Sequence, residues 1–536
     1  MTPRRALLAL IVGSTLLRLA WAATLGPDTN EAYYYLYTQH PAPSYFDHPP
    51  MVAIVSAAGL MLSNIVSPVF AIRLGFIALF AGSTWLMARL TTRAFGSSAW
   101  AGVLAAFALN VTGYFGLVVG TSSTPDGPLL FFWLLTLDRL AVALEEPPRL
   151  STWLWVGLAW GGALLSKYHA VLLPAGVVLY LLLRPSARRC LRSPGPYVAA
   201  MLGMAVFAPV ILWNAEHAWI SFLFQSSRGV GQLRLRPDRL AEALGAEALF
   251  VLPWIWLALV GALVRLLRRG PQNWSEPETF LVCQALPALM LFHIVASTRW
   301  IMPHWPLIGL VALMPILGRA WSESLIASPG PEWRRLSIYA ITPVVVAGLI
   351  AAQARFGLFQ DAHGRLLGLV APQNDPTIDL IGWDQIAREL ERQGLLDDPG
   401  TFLFTSSWRK SAQLGFATRM RADVACYEPR ARSFAFWSEP EDWVGRDGIF
   451  VRVDDDPADA KTFARWFTRI EPLGEFPILR ANVPVETVHL YRCIAQTEPF
   501  PFIFSTQLTE RHRPKPKAAT IAHRPLPQRN GKPPRF

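Results

Sequence analysis

Eleven apolar runs near membrane length, parted by short arginine-bearing loops, decide what this chain can fold into. They cover residues 6–25, 69–88, 99–118, 127–144, 151–166, 170–183, 196–213, 247–266, 279–297, 303–318 and 335–354. A helix needs about 20 apolar residues to cross hydrocarbon, and only helices and closed barrels satisfy their backbone there. Composition agrees: 52% of residues are hydrophobic and 16% are charged, against about 25% charged in soluble domains. The expected class is an α-helical polytopic membrane protein with about eleven transmembrane helices, interfacial helices, and a small C-terminal α/β domain outside the cytoplasm. The first run could be a cleaved signal peptide, but it is long for a signal core and many more runs follow, so an uncleaved span is expected.

The stretch 51–66 is also apolar, yet it is short and follows a double proline. If it does not cross, one side of the membrane receives Arg4, Arg5, Arg89, Arg93, Arg139, Arg149, Arg184, Arg188, Arg189, Arg192, Arg265, Arg268, Arg269, Arg319, Arg334 and Arg335. The other side's loops receive only Lys167, Arg228, Arg234, Arg236, Arg239 and Arg299. That bias makes the first side cytoplasmic, together with the N-terminus, and makes 51–66 an interfacial or re-entrant helix. The net charge of +11 is therefore read as topology rather than as nucleic-acid binding.

With this topology the unusual polar groups gather on the outer face. The first outer loop, Asp28 to Pro50, holds three acidic residues, two histidines, five tyrosines and four prolines. Asp28, Glu31 and Asp47 are candidate general bases, because partial desolvation raises a carboxylate pKa toward the working range. Helix capping by Asp28 or Asn30 is the competing explanation. Tyr33 and Tyr34 offer rings and hydroxyls to a sugar. His40 and His48 near carboxylates raise the question of a divalent cation, at a spacing that matches no strong metal motif. Asp126 opens a span, where a carboxylate also serves the helix N-terminus. Lys167, Tyr168 and His169 lie between two apolar runs, and ionisable groups at such depth default to function. Arg228, Arg299 and His304 add positive charge suited to a phosphate. Carboxylate bases, rings and cations at a lipid boundary fit glycosyl transfer from a lipid-phosphate sugar: a carboxylate deprotonates an acceptor hydroxyl and cations stabilise the departing phosphate.

From residue 356 the pattern changes to short β-prone runs and an amphipathic helix, read as an extracytoplasmic α/β domain over 356–505 after a membrane domain over 1–355. Residues 506–536 are basic, proline-rich and expected to be disordered. Cys426 and Cys493 fall in the exported part and are candidates for a disulfide.

The motifs NEAYYYLY (30–37), SYFDHPPMVA (44–53), STPDGPLLFFW (123–133), LLSKYHAVLL (164–173), PVILWNAEHAWISFLFQ (209–225) and PHWP (303–306) together resemble the family 39 glycosyltransferases of the GT-C superfamily, which include protein O-mannosyltransferases and bacterial lipid A glycosyltransferases. The resemblance implies a polyprenyl-phosphate sugar donor, a lipid, glycan or protein acceptor, inversion at the anomeric carbon, no required cofactor, and a place in the bacterial cytoplasmic membrane. It also implies an Asp-Glu pair in the first loop, with the Asp as base. Here the matching positions are Asn30 and Glu31, and the nearest Asp is Asp28. The resemblance further implies that Asp126 faces the same cavity and that Lys167 and the outer arginines hold the lipid phosphate. A polysaccharide polymerase or ligase of the same superfamily, a lipid-glycan transporter and an inactive binding protein are the competing readings. A transporter predicts internal repeats and charges at the membrane midplane, and no fixed-period repeat is present.

Overall fold

The computed structural model describes residues 2–96, 99–145, 149–229, 234–360, 374–454, 456 and 458–502; the basic tail expected to be disordered lies outside them. The membrane half is a bundle of helices: α1 (Pro3–Ala22), α2 (Thr29–Gln39), α3 (Met51–Leu60), α4 (Pro68–Ala94), α5 (Ala99–Val111), α6 (Asp126–Glu145), α7 (Leu150–Ser166), α8 (Leu172–Leu183), α9 (Gly195–Glu216), α10 (Ile220–Gly229), α11 (Pro237–Val251), α12 (Pro253–Arg269), α13 (Glu276–Ala296), α14 (Leu307–Val311), α15 (Met314–Ala327) and α16 (Pro329–Phe356). Many starts carry their own local signal. Ser67 caps α4 ahead of Pro68, Ser275 and Glu278 form a capping box on α13, and Gly357 ends α16 in the left-handed region at φ 64°, as caps and C-terminal glycines do.

Among the described residues, six helices are long and apolar enough to span a membrane: α1, α4, α6, α9, α13 and α16. Three further candidates are broken. α5 turns by 69° into a π-helical segment, Gly113–Val119, and α8 turns by 119° into Pro185–Arg192. α11 and α12 meet at 112°, where Leu252 takes φ 80° and Pro253 has no N–H to continue the ladder. The apolar run 247–266 is thus a corner rather than a straight span, and 303–318 divides between α14 and α15. α3 has ten residues, about 15 Å of helix, half the hydrocarbon thickness; it lies against α4 and is too short to span by itself.

After α16 the chain forms helix α17 (Trp383–Arg392), strand β1 (Thr401–Thr405), helix α18 (Trp408–Thr418), strands β2 (Val424–Cys426) and β3 (Asp447–Val453), and a long hairpin, β4 (Phe467–Arg480) and β5 (Val483–Gln496). The sheet order is β2-β1-β3-β5-β4, with β1 parallel to both neighbours and β3 antiparallel to β5. Cys426 and Cys493 are both free and buried. They sit on β2 and β5, with β1 and β3 between them, so about 14 Å of sheet separates the strands and the expected disulfide cannot form.

The sheet domain is joined to the bundle by several contacts. Buried Asp375 accepts from Gln353 at the end of α16 (2.8 Å), from Gln360 (2.9 Å) and from Arg480 on β4 (2.5 Å). α2 runs its tyrosines into the core of the α/β domain: Tyr33 meets Trp408 with ring centroids 5.1 Å apart and Tyr35 meets Phe416 at 4.7 Å.

Candidate active site

The site starts at the N-terminus of α2. Asp28 caps the helix, its Oδ1 accepting from the backbone N–H of Asn30 (2.7 Å) and Glu31 (3.1 Å), while Glu31 Oε2 accepts from the Asp28 N–H (3.1 Å). The two carboxylates then diverge. Glu31 is fully buried; its Oε1 accepts from Arg73 Nε (2.8 Å) and Ser123 N–H (3.0 Å), and its Oε2 from Arg73 Nη2 (2.5 Å). Arg73 spends its other N–H groups on the carbonyls of Ala22, Leu25 and Gly26. Both Glu31 oxygens are engaged, which pins the α1–α2 turn to α4, and Glu31 also lines a cavity beside Asp28.

Asp28 remains partly exposed. Burial pushes its carboxyl up to about 7, the Glu31 charge adds to the rise, and the two backbone N–H groups and Arg73 oppose it. Asp28 lines two cavities at once. One, of about 460 Å³, is polar and includes Tyr34, Asp47, His48, Asp126, Lys167, Tyr168, His169, Arg228 and His304. The other, of about 350 Å³, is apolar, walled by Trp21, Leu117, Leu249, Phe250, Val346 and Ile350. Asp28, Tyr114, Val118 and Leu380 belong to both.

Most of the residues singled out in the sequence therefore converge, but with distinct jobs. Asp126 accepts from Lys167 Nζ at 2.9 and 2.8 Å, and the Tyr114 side chain also hydrogen-bonds it. The pair is buried at the break between α7 and Tyr168, where Asp126 serves as the lysine's counter-ion. Buried Asp47 accepts from Tyr33 Oη (3.3 Å), from Tyr37 Oη and from Arg432 Nη1 (2.8 Å). Burial raises its carboxyl, and Arg432, His48 and Tyr37 overcome that and hold it below the ordinary range. Asp47 is an anion committed to that cage. Burial takes His48 down to about 4 and His304 down to about 3, so both rings are neutral near pH 7. His304 stacks on Tyr114 at 5.2 Å, His169 leans on Phe292 at 4.7 Å, and Tyr168 meets Phe222 edge-on at 5.4 Å.

Two of the expected substrate-binding residues, Tyr33 and Arg299, lie outside the central cavity. Tyr33 does not face the polar cavity with Tyr34; it is fully buried and bonded to Ser433 (2.8 Å). Arg299 lies in a neighbouring basin rather than in the central cavity. His40 stacks on Trp437 at 4.7 Å, and among the described residues no group of three or more His, Cys, Asp or Glu is placed to hold a metal ion. Trp408, Arg409 and Arg432 of the α/β domain line the cavity without having been expected. The Arg432 guanidinium lies 3.7 Å over the Trp408 ring while it reaches Asp47. No spacing signal links residues nearly 400 positions apart.

Residues 47–213 match the family model described as dolichyl-phosphate-mannose-protein mannosyltransferase. A lipid A galacturonosyltransferase, RgtD of Rhizobium johnstonii, is 28% identical over 345 residues, covering 63% of this chain and 69% of the relative. The structure superposes on ArnT of Cupriavidus metallidurans, crystallised with undecaprenyl phosphate, with a TM-score of 0.60 at 16% identity over 90% of this chain and 97% of that one. The same ArnT in its apo state gives 0.57 at 17% identity, with the same coverage of both chains. The chain is a membrane glycosyltransferase that shares its fold with ArnT. In this glycosyltransferase the matched segment starts at Asp47 and takes in α3, α4 and the Asp126–Lys167 pair. The α/β domain that supplies Arg432 lies beyond it.

Proposed function

We propose that this glycosyltransferase moves a sugar from a polyprenyl-phosphate carrier to a hydroxyl of a lipid A-like acceptor at the outer face of the bacterial cytoplasmic membrane, with Asp28 as the base. The observation that carries the reading is the position of Asp28 where an apolar cavity meets a polar one. The prenyl chain lies in the apolar cavity and its sugar in the polar one. Asp28 takes the proton from the acceptor hydroxyl as that oxygen bonds to the anomeric carbon. The carbon–oxygen bond to phosphate breaks on the opposite face, the electron pair leaves with the polyprenyl phosphate, and the configuration inverts. Lys167, Arg228 and Arg432 stabilise the charge that develops on the leaving phosphate. Glu31 and Arg73 hold Asp28 in place, and Asn30, at the cavity edge, leaves the base role to it. The arginine distribution supports an outward site, and the names of RgtD and of ArnT with its bound carrier support the acceptor and donor classes.

The test is transfer by the purified full-length protein in lipid nanodiscs, given a polyprenyl-phosphate-linked uronic acid or aminopentose and lipid A. Product with an anomeric configuration opposite to the donor's, read by NMR, is expected; the absence of product from all donors and acceptors offered, with the carrier bound, would count against the reading.

A further inference from the structure

Beside the central cavity lies a second basin of about 530 Å³, lined by Arg228, Arg234, Arg236 and Arg299 with Trp300 and Trp305 among its walls. Four guanidiniums around one hollow repel each other, an arrangement that an anion relieves. Arg236 already has a partner, Asp238, at 3.0 and 2.7 Å. Among the described residues, no carboxylate pairs with Arg228, Arg234 or Arg299, and Arg299 donates instead to the Ser227 carbonyl at 3.1 Å. The basin is held in shape from both sides: the Arg236 N–H donates to the Ser297 carbonyl at 2.6 Å, and Arg228 lies 4.5 Å over Trp305. Leu235 and Trp300 beside it are exposed, at 74% and 55%, an apolar and aromatic rim suited to the membrane interface. The basin meets the central cavity at Arg228 and Trp305, whereas the apolar cavity meets it at Asp28 and Tyr114. The reaction chamber thus has a lipid-tail cavity on one side and a cationic basin on the other, with no residue common to both.

We propose that this basin docks a phosphate monoester of the acceptor lipid, so that the acceptor enters from the side opposite the donor's prenyl chain; the assignment rests on the function proposed above. A phosphate monoester carries close to two negative charges at neutral pH and takes the planar fork of arginine in paired hydrogen bonds. Arg228, shared by the two spaces, sets the distance between the docked phosphate and the hydroxyl presented to Asp28.

The experiment measures binding of bisphosphoryl lipid A, enzymatically dephosphorylated lipid A and undecaprenyl phosphate to the full-length protein in nanodiscs by native mass spectrometry. Wild type is compared with Arg234→Ala/Arg236→Ala/Arg299→Ala and with the single exposed change Arg234→Glu. Wild type is expected to bind the bisphosphoryl form about tenfold or more tightly than the dephosphorylated one. The triple variant is expected to lose that preference and Arg234→Glu to reduce it, with undecaprenyl phosphate binding unchanged. A preference retained in both variants overturns the proposal, as does equal wild-type affinity for the two lipid A forms while transfer to lipid A still proceeds. A parallel loss of undecaprenyl phosphate binding also overturns it, by giving the basin to the donor. Failure of wild type both to bind lipid A and to transfer sugar to it removes the function proposed above along with the basin.

Discussion

Asp28 and Glu31 stand three residues apart and carry the same functional group, yet their partners differ. Glu31 is clamped by Arg73, a residue 42 positions onward in a helix that reads as a membrane span. That partner is why the sequence leaves the choice of base open. Glu31→Gln strips a buried guanidinium of its counter-charge, a loss of about 3–5 kcal/mol, and is expected to lower the thermal unfolding midpoint in detergent well below that of wild type. An unchanged midpoint would show that the clamp is dispensable. Asp28→Asn keeps a good capping residue, so its folded yield and melting are expected to match wild type while transfer is lost. Asp47 illustrates the same lesson: DHPP reads as a reactive acid beside an imidazole, but Tyr33, Tyr37 and Arg432 have already taken its oxygens.

Helix α3 sets the parity of every later membrane span. If α3 does not cross, its end near Ser63 lies outside and the loop around Ser186 inside; a crossing α3 would exchange the two. A membrane-impermeant maleimide is expected to label Ser63→Cys in intact cells and Ser186→Cys only after permeabilisation. Labelling of both, or of Ser186→Cys alone, would reverse the assigned topology. The apolar runs and the short α3 were legible because span length and side-chain polarity are local properties. The bend after α5 and the corner at Leu252 were not, since a π-helical segment and a positive φ in a leucine are imposed by neighbouring helices. The separation of Cys426 from Cys493 was hidden for a related reason: it depends on strand order, which two cysteine positions do not encode.

Across the whole molecule, loops at one end of the bundle and the α/β domain build one site. The convergence of Asp28, Asp126, Lys167, Arg228 and His304 was legible from topology, because the charge bias put them on one face. The share of the α/β domain was not, because Arg432 and Trp408 reach the cavity through the docking of α18 on the α2 tyrosines. Arg432→Ala is expected to cut kcat/KM by tenfold or more, since it uncages Asp47 and removes a cation facing the leaving phosphate. Arg432→Lys is expected to recover part of that by restoring charge without the planar stack on Trp408; wild-type kinetics in Arg432→Ala would exclude the α/β domain from catalysis. The central claim is that Asp28 is the base, and the most direct measurement is the pH dependence of kcat/KM for sugar transfer by wild type and Asp28→Asn in nanodiscs. With its carboxyl pushed up to about 7, Asp28 is protonated and inactive below that pH, so the wild-type rate is expected to fall on the acid side with a midpoint near 7. His48 and His304, pushed down to about 4 and about 3, are already neutral there and contribute no limb. Asp28→Asn is expected to lose about 10²–10⁴ in rate together with that limb, whereas a wild-type rate or an unchanged acid limb in Asp28→Asn would contradict the account.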